Sequence, residues 1–403
     1  MSPRLLYFNP LFDLDLGGYP TGAVAASSKQ MSPLFAFMGT VSDRVLLDVK
    51  VPGEYWQHLS DNGFDHAQPV NEKEDLSGYQ GMPWGWNRQS LDRLTSSGAQ
   101  CSHPDLATVK TVNGRAWCAA FNRESGSGVP GSSFCATATE LDAAMARLAG
   151  RFPLVAKPAF GNSGHGFVSL RETAGFLRNQ RQQIETMLIR GGCILEPWLD
   201  RIADLSSSCM IQPDGTVTDM RHYRCHVTGH GAFYGVSLGI RDPLVERFES
   251  ALEIAARSAA SALCRAGYFG PASFDSIVYR DARANDGRLA AVIEINARYG
   301  MSAIARALHE KIGNDRCVFL RFIGRKKMVL PKTYDGVWKV MGNDRYDPVS
   351  RTGILLVSPL RVLYRSEKIQ PGRTAFLCVE KEESALWGRD ERLRTIFSNT
   401  ANY

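Results

Sequence analysis

Short apolar runs alternate with stretches of helical periodicity along most of the chain. In the first hundred residues, strand-like runs at 4–8 and 44–49 flank a Gly- and Ser-rich segment, and helical patterns follow at 53–62 and 88–97. Strands that alternate with helices are typical of a parallel sheet with helical crossovers. The pattern therefore predicts an N-terminal α/β domain, which we place at residues 1–110.

The middle of the chain has the same short elements but more hairpin signals. Residues 103–120 predict a turn, a short strand and a helix, and 139–149 predict a helix capped by Thr137 or Thr139 and ended at Gly150. The Asp214-Gly215 dipeptide predicts a hairpin over 205–224. Further strands are predicted at 153–157, 166–170, 192–199, 273–279 and 289–296, and further helices at 172–190, 243–266 and 302–312.

Composition narrows the class of protein only moderately. The 403 residues carry a net charge of +6, and nine Cys are widely spaced without a C-x-x-C pair. These features favour reduced thiols and a cytoplasmic location over a disulfide or zinc framework. The N-terminus lacks a signal-peptide pattern and no run is long enough to cross a membrane. No Lys/Arg cluster suggests a nucleic-acid partner.

The first candidate site follows the strand at 153–157. Lys157 ends this strand and Gly161, Gly164 and Gly166 follow it, with Ser163 among them. Glycine lets backbone N–H groups approach phosphate oxygens closely, and a lysine supplies a point charge for phosphate. The alternative is an ordinary turn, since neither a Walker A loop nor a dinucleotide fingerprint is present.

A second set of polar residues lies on two neighbouring strands. The period of two places Glu294, Asn296 and Arg298 on one face, and Asp275 on the paired strand can point to the same spot. Two carboxylates and an amide oxygen are hard ligands that suit Mg²⁺. The non-functional alternative is a surface strand whose alternating polar residues face solvent.

The third feature is the segment I-L-E-P-W-L at 194–199, followed by Asp200 and Asp204. An apolar strand that runs into a Glu and a turn can offer backbone groups to an adenine edge and carboxylates to a ribose.

Further along the chain, His222, His226 and His230 would suggest a metal site only if the segment were helical, and the neighbouring glycines favour a strand and loop. An arginine that faces phosphate, Arg221 or Arg224, is the preferred interpretation.

In this order, the three features resemble the ATP-grasp superfamily over about residues 110–312. The resemblance implies an ATP-grasp fold: two α+β subdomains that grip ATP, at 111–200 and 201–325, preceded by a Rossmann-like domain. Residues 326–403 form a C-terminal α/β extension. This tail and the P-W-G-W stretch at 83–86 also resemble pheganomycin-type peptide ligases.

The resemblance also implies roles for individual residues. Asp275, Glu294 and Asn296 match the magnesium ligands, with Glu294 between two ions and Mn²⁺ as a substitute. Arg298 matches the group that steadies the acyl phosphate, with Lys157 and Arg221 or Arg224 as further catalytic cations. The nucleotide-binding positions are Arg115, Lys157, Gly161, Ser163, Gly164, Gly166, Glu196, Pro197, Trp198, Leu199 and Asp204, with Asp200 as a rival for the ribose.

Two positions depart from the family pattern. Arg115 stands where a lysine is usual, which keeps the positive charge. Ser273 stands where an arginine often precedes the first metal ligand, so the charge must come from Arg298, Arg221 or Arg224.

The implied activity is ligation of a small-molecule carboxylate to an amine through an acyl phosphate, with ATP consumed, on an amino acid or small peptide in a biosynthetic pathway. Rival functions are ligation to a thiol, hydroxyl or carrier protein, small-molecule phosphotransfer, and nucleotide binding without catalysis. The protein could form a homodimer.

Overall fold

The computed structural model describes residues 2–20, 29–71, 74–151, 153–161, 166–171, 178–229, 231–281, 284–364, 367–369 and 372–398. In the N-terminal part, four parallel strands form a sheet of order β3-β2-β1-β4. Its strands are β1 (Arg4–Tyr7), β2 (Arg44–Leu46), β3 (Gln68–Pro69) and β4 (Gln80–Pro83). Its helices are α1 (Phe12–Leu16), a 3-10 helix (Ser32–Met38), α2 (Gly53–Asp61) and α3 (Arg88–Ser96). The predicted parallel sheet is therefore confirmed.

The segment 103–120 differs from its prediction. It folds as two helices, α4 (Leu106–Val112) and α5 (Arg115–Ser125), without the short strand. The Asp105 side chain accepts a hydrogen bond from the Thr108 backbone N–H and caps α4. This cap outweighs the modest strand preference of the β-branched residues that follow it.

A small antiparallel sheet of order β5-β8-β6-β7 forms the next layer. Helices α6 and α7 pack on it, and Thr137 forms a capping box with Glu140 at the start of α6. The elements are β5 (Ser133–Cys135), α6 (Ala138–Arg147), β6 (Leu154–Pro158), β7 (Val168–Leu170), α7 (Arg178–Ile189) and β8 (Cys193–Pro197).

The largest layer is an eight-stranded antiparallel sheet of order β13-β12-β9-β10-β11-β14-β18-β15. Its first five strands along the chain are β9 (Arg201–Ile211), β10 (Val217–Val227), β11 (Phe233–Leu238), β12 (Gly270–Asp281) and β13 (Ala284–Asn296). Helix α8 (Pro243–Arg265) lies between β11 and β12 in the chain, and α9 (Met301–Ile312) follows β13. Helix α8 packs against the face of β9 and β10 that carries His222 and Arg224, so the opposite face is left for the site.

The C-terminal segment completes this sheet. Strand β14 (Cys317–Gly324) pairs with β18 (Arg373–Glu380), which in turn pairs with β15 (Gly353–Leu356). The remaining elements are a 3-10 helix (Arg325–Lys327), α10 (Tyr334–Met341), a 3-10 helix (Gly342–Asp344), β16 (Val362–Tyr364), β17 (Glu367–Ile369) and α11 (Glu383–Ile396). In the described part of the chain, no helix is both long and apolar enough to cross a membrane.

Candidate active site

Two carboxylates face each other at one end of the large sheet. Asp275 on β12 lies directly opposite Glu294 on β13 and opposite Ser206 on β9. Residues paired in register project from the same face of a sheet. The Ser206 hydroxyl donates to Asp275 Oδ1 at 3.0 Å and the Asn296 amide donates to Oδ2 at 3.2 Å. The structure therefore places Asp275, Glu294 and Asn296 together.

The donor set is suited to a hard divalent cation. Burial and then the negative charge of Glu294 raise the pKa of Asp275 to about 6, against the Ser206 hydrogen bond and the Arg298 charge. A bound cation would relieve the repulsion between the two carboxylates. Among the described residues, no group of three His, Cys, Asp or Glu side chains forms a metal cluster. Two carboxylates and an amide fit Mg²⁺, which keeps water and phosphate ligands.

Arg298 is held rigidly beside this pair. Its Nη2 donates to Asn296 Oδ1 at 2.9 Å, and its Nε and Nη2 donate to the two Asp13 oxygens at 3.1 and 2.9 Å. The guanidinium carbon lies 5.7 Å from the centre of the Trp84 ring. Trp84 is buried in an aromatic cluster with Phe8 and Phe35, so its ring gives the guanidinium of Arg298 a fixed surface to pack on.

Asp13 was missed by the sequence reasoning as a site residue. It lies on α1, some 285 positions before Arg298, and no local motif marks it. Its only sequence signal is its acidic character directly after an apolar residue in a short N-terminal helix. The side chain is nonetheless buried and forms a two-point ion pair with Arg298.

Two cations form separate ion pairs near the site, Arg115 with Glu294 and Lys157 with Glu196. Arg115 opens α5, is buried, and donates to Glu294 Oε1 at 2.5 Å and to the Pro158 carbonyl at 2.6 Å. Lys157 on β6 forms an ion pair with the buried Glu196 of β8. Both cations lie near the Phe167 ring, at 5.6 Å for Arg115 and 5.3 Å for Lys157. Arg115, Lys157 and Glu294 therefore share one polar interior.

A cavity of about 480 Å³ opens beside the end of β8. Trp198, Leu199, Asp200 and Asp204 all line it, which brings most of the predicted hinge together. The backbone N–H of Trp198 donates to the Pro153 carbonyl at 2.8 Å. Glu196 and Pro197 are the last residues of β8, immediately before this lining.

Asp204 and Asp200 differ sharply in environment. Burial raises the pKa of Asp204 to about 6, although the positive charges of Arg201, Arg224 and Lys157 lower it. The buried Asp204 Oδ2 has no hydrogen-bond partner among the described residues. Asp200 is 63% exposed and pairs with Arg280 on the surface. Asp204 is therefore the more buried of the two carboxylates that line the cavity, and its Oδ1 pairs with Arg201 at 3.2 Å.

The two rival arginines lie on opposite faces of β10. Arg221 pairs in register with Ser208, on the face that carries Ser206 and Asp275. Arg224 projects from the other face and forms an ion pair with Asp242, the N-cap of α8, at 3.2 Å.

Of the Gly-rich loop, Gly161 and Gly166 are described, whereas Ser163 and Gly164 lie outside the described residues.

Comparisons with solved structures identify the fold. The chain superposes on biotin carboxylase from Campylobacter jejuni, solved as a beta-gamma-ATP complex, with a TM-score of 0.59, 11% identity and coverage of 98% of this chain and 92% of that one. A second neighbour is the biotin carboxylase domain dimer of 2-oxoglutarate carboxylase from Hydrogenobacter thermophilus, solved with MgADP, ADP and bicarbonate. It gives a TM-score of 0.57 and 12% identity, with coverage of 99% of this chain and 91% of that one.

A third neighbour is similar over an equally large part of the chain. The N5-carboxyaminoimidazole synthase from Aspergillus clavatus, with ADP and 5-aminoimidazole ribonucleotide, gives a TM-score of 0.54, 12% identity and coverage of 98% of both chains. Searches against family models and curated sequences find no match. The architecture is the ATP-grasp fold, preceded by a parallel α/β domain, and the likeness extends over nearly the full chain.

Proposed function

We propose that the protein is an ATP-dependent carboxylate–amine ligase. The observation that carries the proposal is the convergence on one sheet face of Asp275, Glu294 and Asn296 with Arg298, while Arg115 approaches Glu294 from the central part. ATP-grasp neighbours with bound ADP support a nucleotide in this cleft.

The reaction has two balanced steps. A substrate carboxylate oxygen attacks the γ-phosphorus of ATP, the bond to the β-phosphate oxygen breaks, and an acyl phosphate and ADP form. The amine then attacks the acyl carbon, loses a proton, and expels inorganic phosphate. Arg115 and Lys157 exchange their carboxylate partners for nucleotide phosphates, and Arg298 stabilises the oxyanion of the second step.

Asp275, Glu294 and Asn296 would hold Mg²⁺, for which Mn²⁺ could substitute, with Glu294 shared when two ions bind. A bound divalent cation supplies charge neutralisation between the phosphates. Glu196, Pro197, Trp198 and Leu199 would contact the adenine and Asp204 the ribose. Loop 161–166, with Gly161, Ser163, Gly164 and Gly166, would cover the phosphates and exclude water.

The substrates belong to the proposal as well. We expect an amino acid or small peptide as one partner, in a biosynthetic pathway of the kind that pheganomycin-type ligases serve. The division at residues 110, 200 and 325 is also proposed, as is a homodimer. A dimer is consistent with the H. thermophilus neighbour, which was solved as a domain dimer.

The decisive experiment incubates the purified protein with ATP, Mg²⁺ and pooled acids and amines, bicarbonate included, and follows products by mass spectrometry. Condensed product with stoichiometric ADP and free phosphate supports ligation. Glu294→Ala should abolish product while its circular dichroism spectrum stays unchanged. A product that retains the γ-phosphate, or a thioester obtained only from a thiol pool, would contradict amide formation.

A further inference from the structure

A second cavity, of about 360 Å³, lies on the same sheet face beside the proposed acyl site. Strands β9, β10 and β12 form its floor and the start of α9 forms one wall. The cavity is lined by the polar side chains of Ser208, Arg221, Ser273, Arg298, Ser302 and Arg306, among others. Its volume is within the range of small-molecule sites.

A cross-strand row connects this cavity to the predicted metal ligands. Arg221 pairs with Ser208, Ser208 with Ser273, and Ser273 with Asn296. Three strand spacings separate the ends of the row, a distance of roughly 14 Å between the Arg221 and Asn296 backbones. The two serines between them supply hydroxyl donors along the floor.

A β-bulge directs Arg221 into the cavity. Between Thr218 and Arg221, β10 contains one residue more than β9, and Asp219 adopts a left-handed conformation with φ of 59°. Without the extra residue, Arg221 would pair with Ser207 and project towards α8. A non-glycine residue in this conformation costs free energy, and such strain is concentrated at functional sites.

The inner end of the cavity suits a carboxylate. Arg298 lies there, and α9 begins beside it at Met301 without a side-chain cap. The uncapped N–H groups and the helix dipole favour negative charge at this position. This end adjoins Asn296 and Asp275, where the reacting carboxylate would be phosphorylated.

The outer end carries a second arginine with donors to spare. Arg221 is 66% exposed, and its one ion pair among the described residues, to Asp219 Oδ1, is 3.6 Å long. Arg306 is occupied by Asp219 and by Glu310. The Arg221 fork is therefore available for a carboxylate.

We propose that this cavity selects a dicarboxylic acid, acidic amino acids included, as the acid substrate. One carboxylate reacts at Arg298 and the other is bound by Arg221, which is a specificity-determining residue. The assignment of the reacting end rests on the proposed ligase function, whereas recognition at Arg221 rests on the cavity alone.

Saturation-transfer NMR without ATP tests the recognition. Glutamate, aspartate and glutarate are compared with glutamine, asparagine and butyrate, which lack the second carboxylate. We expect saturation transfer to the dicarboxylates only. Affinity should fall about tenfold or more in Arg221→Gln, because a charged hydrogen bond is lost. Arg221→Lys should retain part of it.

The matched control is Arg241→Gln, since Arg241 lies on the surface in a pair with Glu246. This variant should bind dicarboxylates like the wild type. Equal binding of glutamate and glutamine, unchanged affinity in Arg221→Gln with an unaltered melting curve, or no dicarboxylate binding at all would each overturn the proposal.

Turnover assays separate this proposal from the proposed function. Dicarboxylates that bind but never yield ADP with any amine would refute the ligase and leave the recognition site. ADP release that is equally fast with butyrate and glutarate would refute the dicarboxylate selectivity and leave the ligase.

Discussion

At the residue scale, the most consequential contact joins Asp13 and Arg298, which lie 285 positions apart along the chain. Asp13 neutralises Arg298 and fixes its orientation through two hydrogen bonds. A guanidinium held by a second carboxylate stays in place when the substrate leaves, so less reorganisation is needed in the reaction. Asp13 is therefore a positioning residue that acts through Arg298.

Replacing Asp13 by Asn should lower kcat by about tenfold or more, with little change in the KM for ATP, because Arg298 loses its charged anchor while the nucleotide contacts remain. Steady-state kinetics of ADP release measures both. Asp13→Glu should recover part of the loss, and Asp15→Asn on the same helix serves as control. A loss confined to KM would contradict the positioning role.

We expect the stability of the folded protein to depend on pH through Asp204. Its pKa is raised to about 6 in the folded protein from about 3.9 in an unfolded chain. The folded state therefore binds more protons between these values, and the destabilising contribution is fully present above pH 6 and disappears as the pH falls towards 4.

Asp204→Asn should thus raise the free energy of unfolding by about 1–2 kcal/mol near pH 7.5 and by less near pH 5. Urea unfolding at both pH values checks this. Asp200→Asn, at an exposed position, should show no such difference. A stabilisation that is the same at both pH values would count against the burial of an ionised Asp204.

At the element scale, the bulge in β10 decides which side chains face the site. It puts Arg221 on the face of Asp275 and Arg224 on the other face, where Arg224 pairs with Asp242. The left-handed conformation at Asp219 is tolerated by Asn but strongly disfavoured for a β-branched residue.

Asp219→Val should therefore reduce the free energy of unfolding by about 1–3 kcal/mol more than Asp219→Asn does. Both variants lose the carboxylate, so their difference isolates the backbone. Chemical denaturation of the pair gives the comparison, and equal losses would show that the bulge needs no left-handed residue.

At the scale of the whole molecule, the C-terminal segment connects the N-terminal domain to the large sheet. The Tyr55 hydroxyl donates to the Val357 carbonyl and the His58 ring bonds to the Leu356 carbonyl, both at 2.8 Å. Lys50 and Leu363 exchange backbone hydrogen bonds. These contacts bury Tyr55 and His58 completely or almost completely.

Truncation after residue 325 should consequently yield an unfolded or aggregated protein. It would remove β15 and β18, expose the β14 edge, and leave buried polar groups of α2 without partners. Size-exclusion chromatography and circular dichroism of the truncated and full chains measure the outcome. A soluble fragment with a cooperative transition would show that the segment is dispensable.

Much of the site could be predicted because it lies within local segments. The period of two in β13 put Glu294 and Asn296 on one face, and strand order alone suggested that Asp275 would join them. The choice between Arg221 and Arg224 could not be made, since a single extra residue at Asp219 reverses the face and leaves no mark in hydrophobic periodicity.

The sequence by itself determined most of the elements outside 103–120, the parallel N-terminal sheet and the resemblance to ATP-grasp enzymes, because these depend on side-chain periodicity and short motifs. The tertiary structure alone decided that Asp13 anchors Arg298, that Arg115 meets Glu294, and that the C-terminal strands complete the large sheet. Those pairings join residues far apart along the chain, and only the packing of the sheets and helices brings them within hydrogen-bond distance.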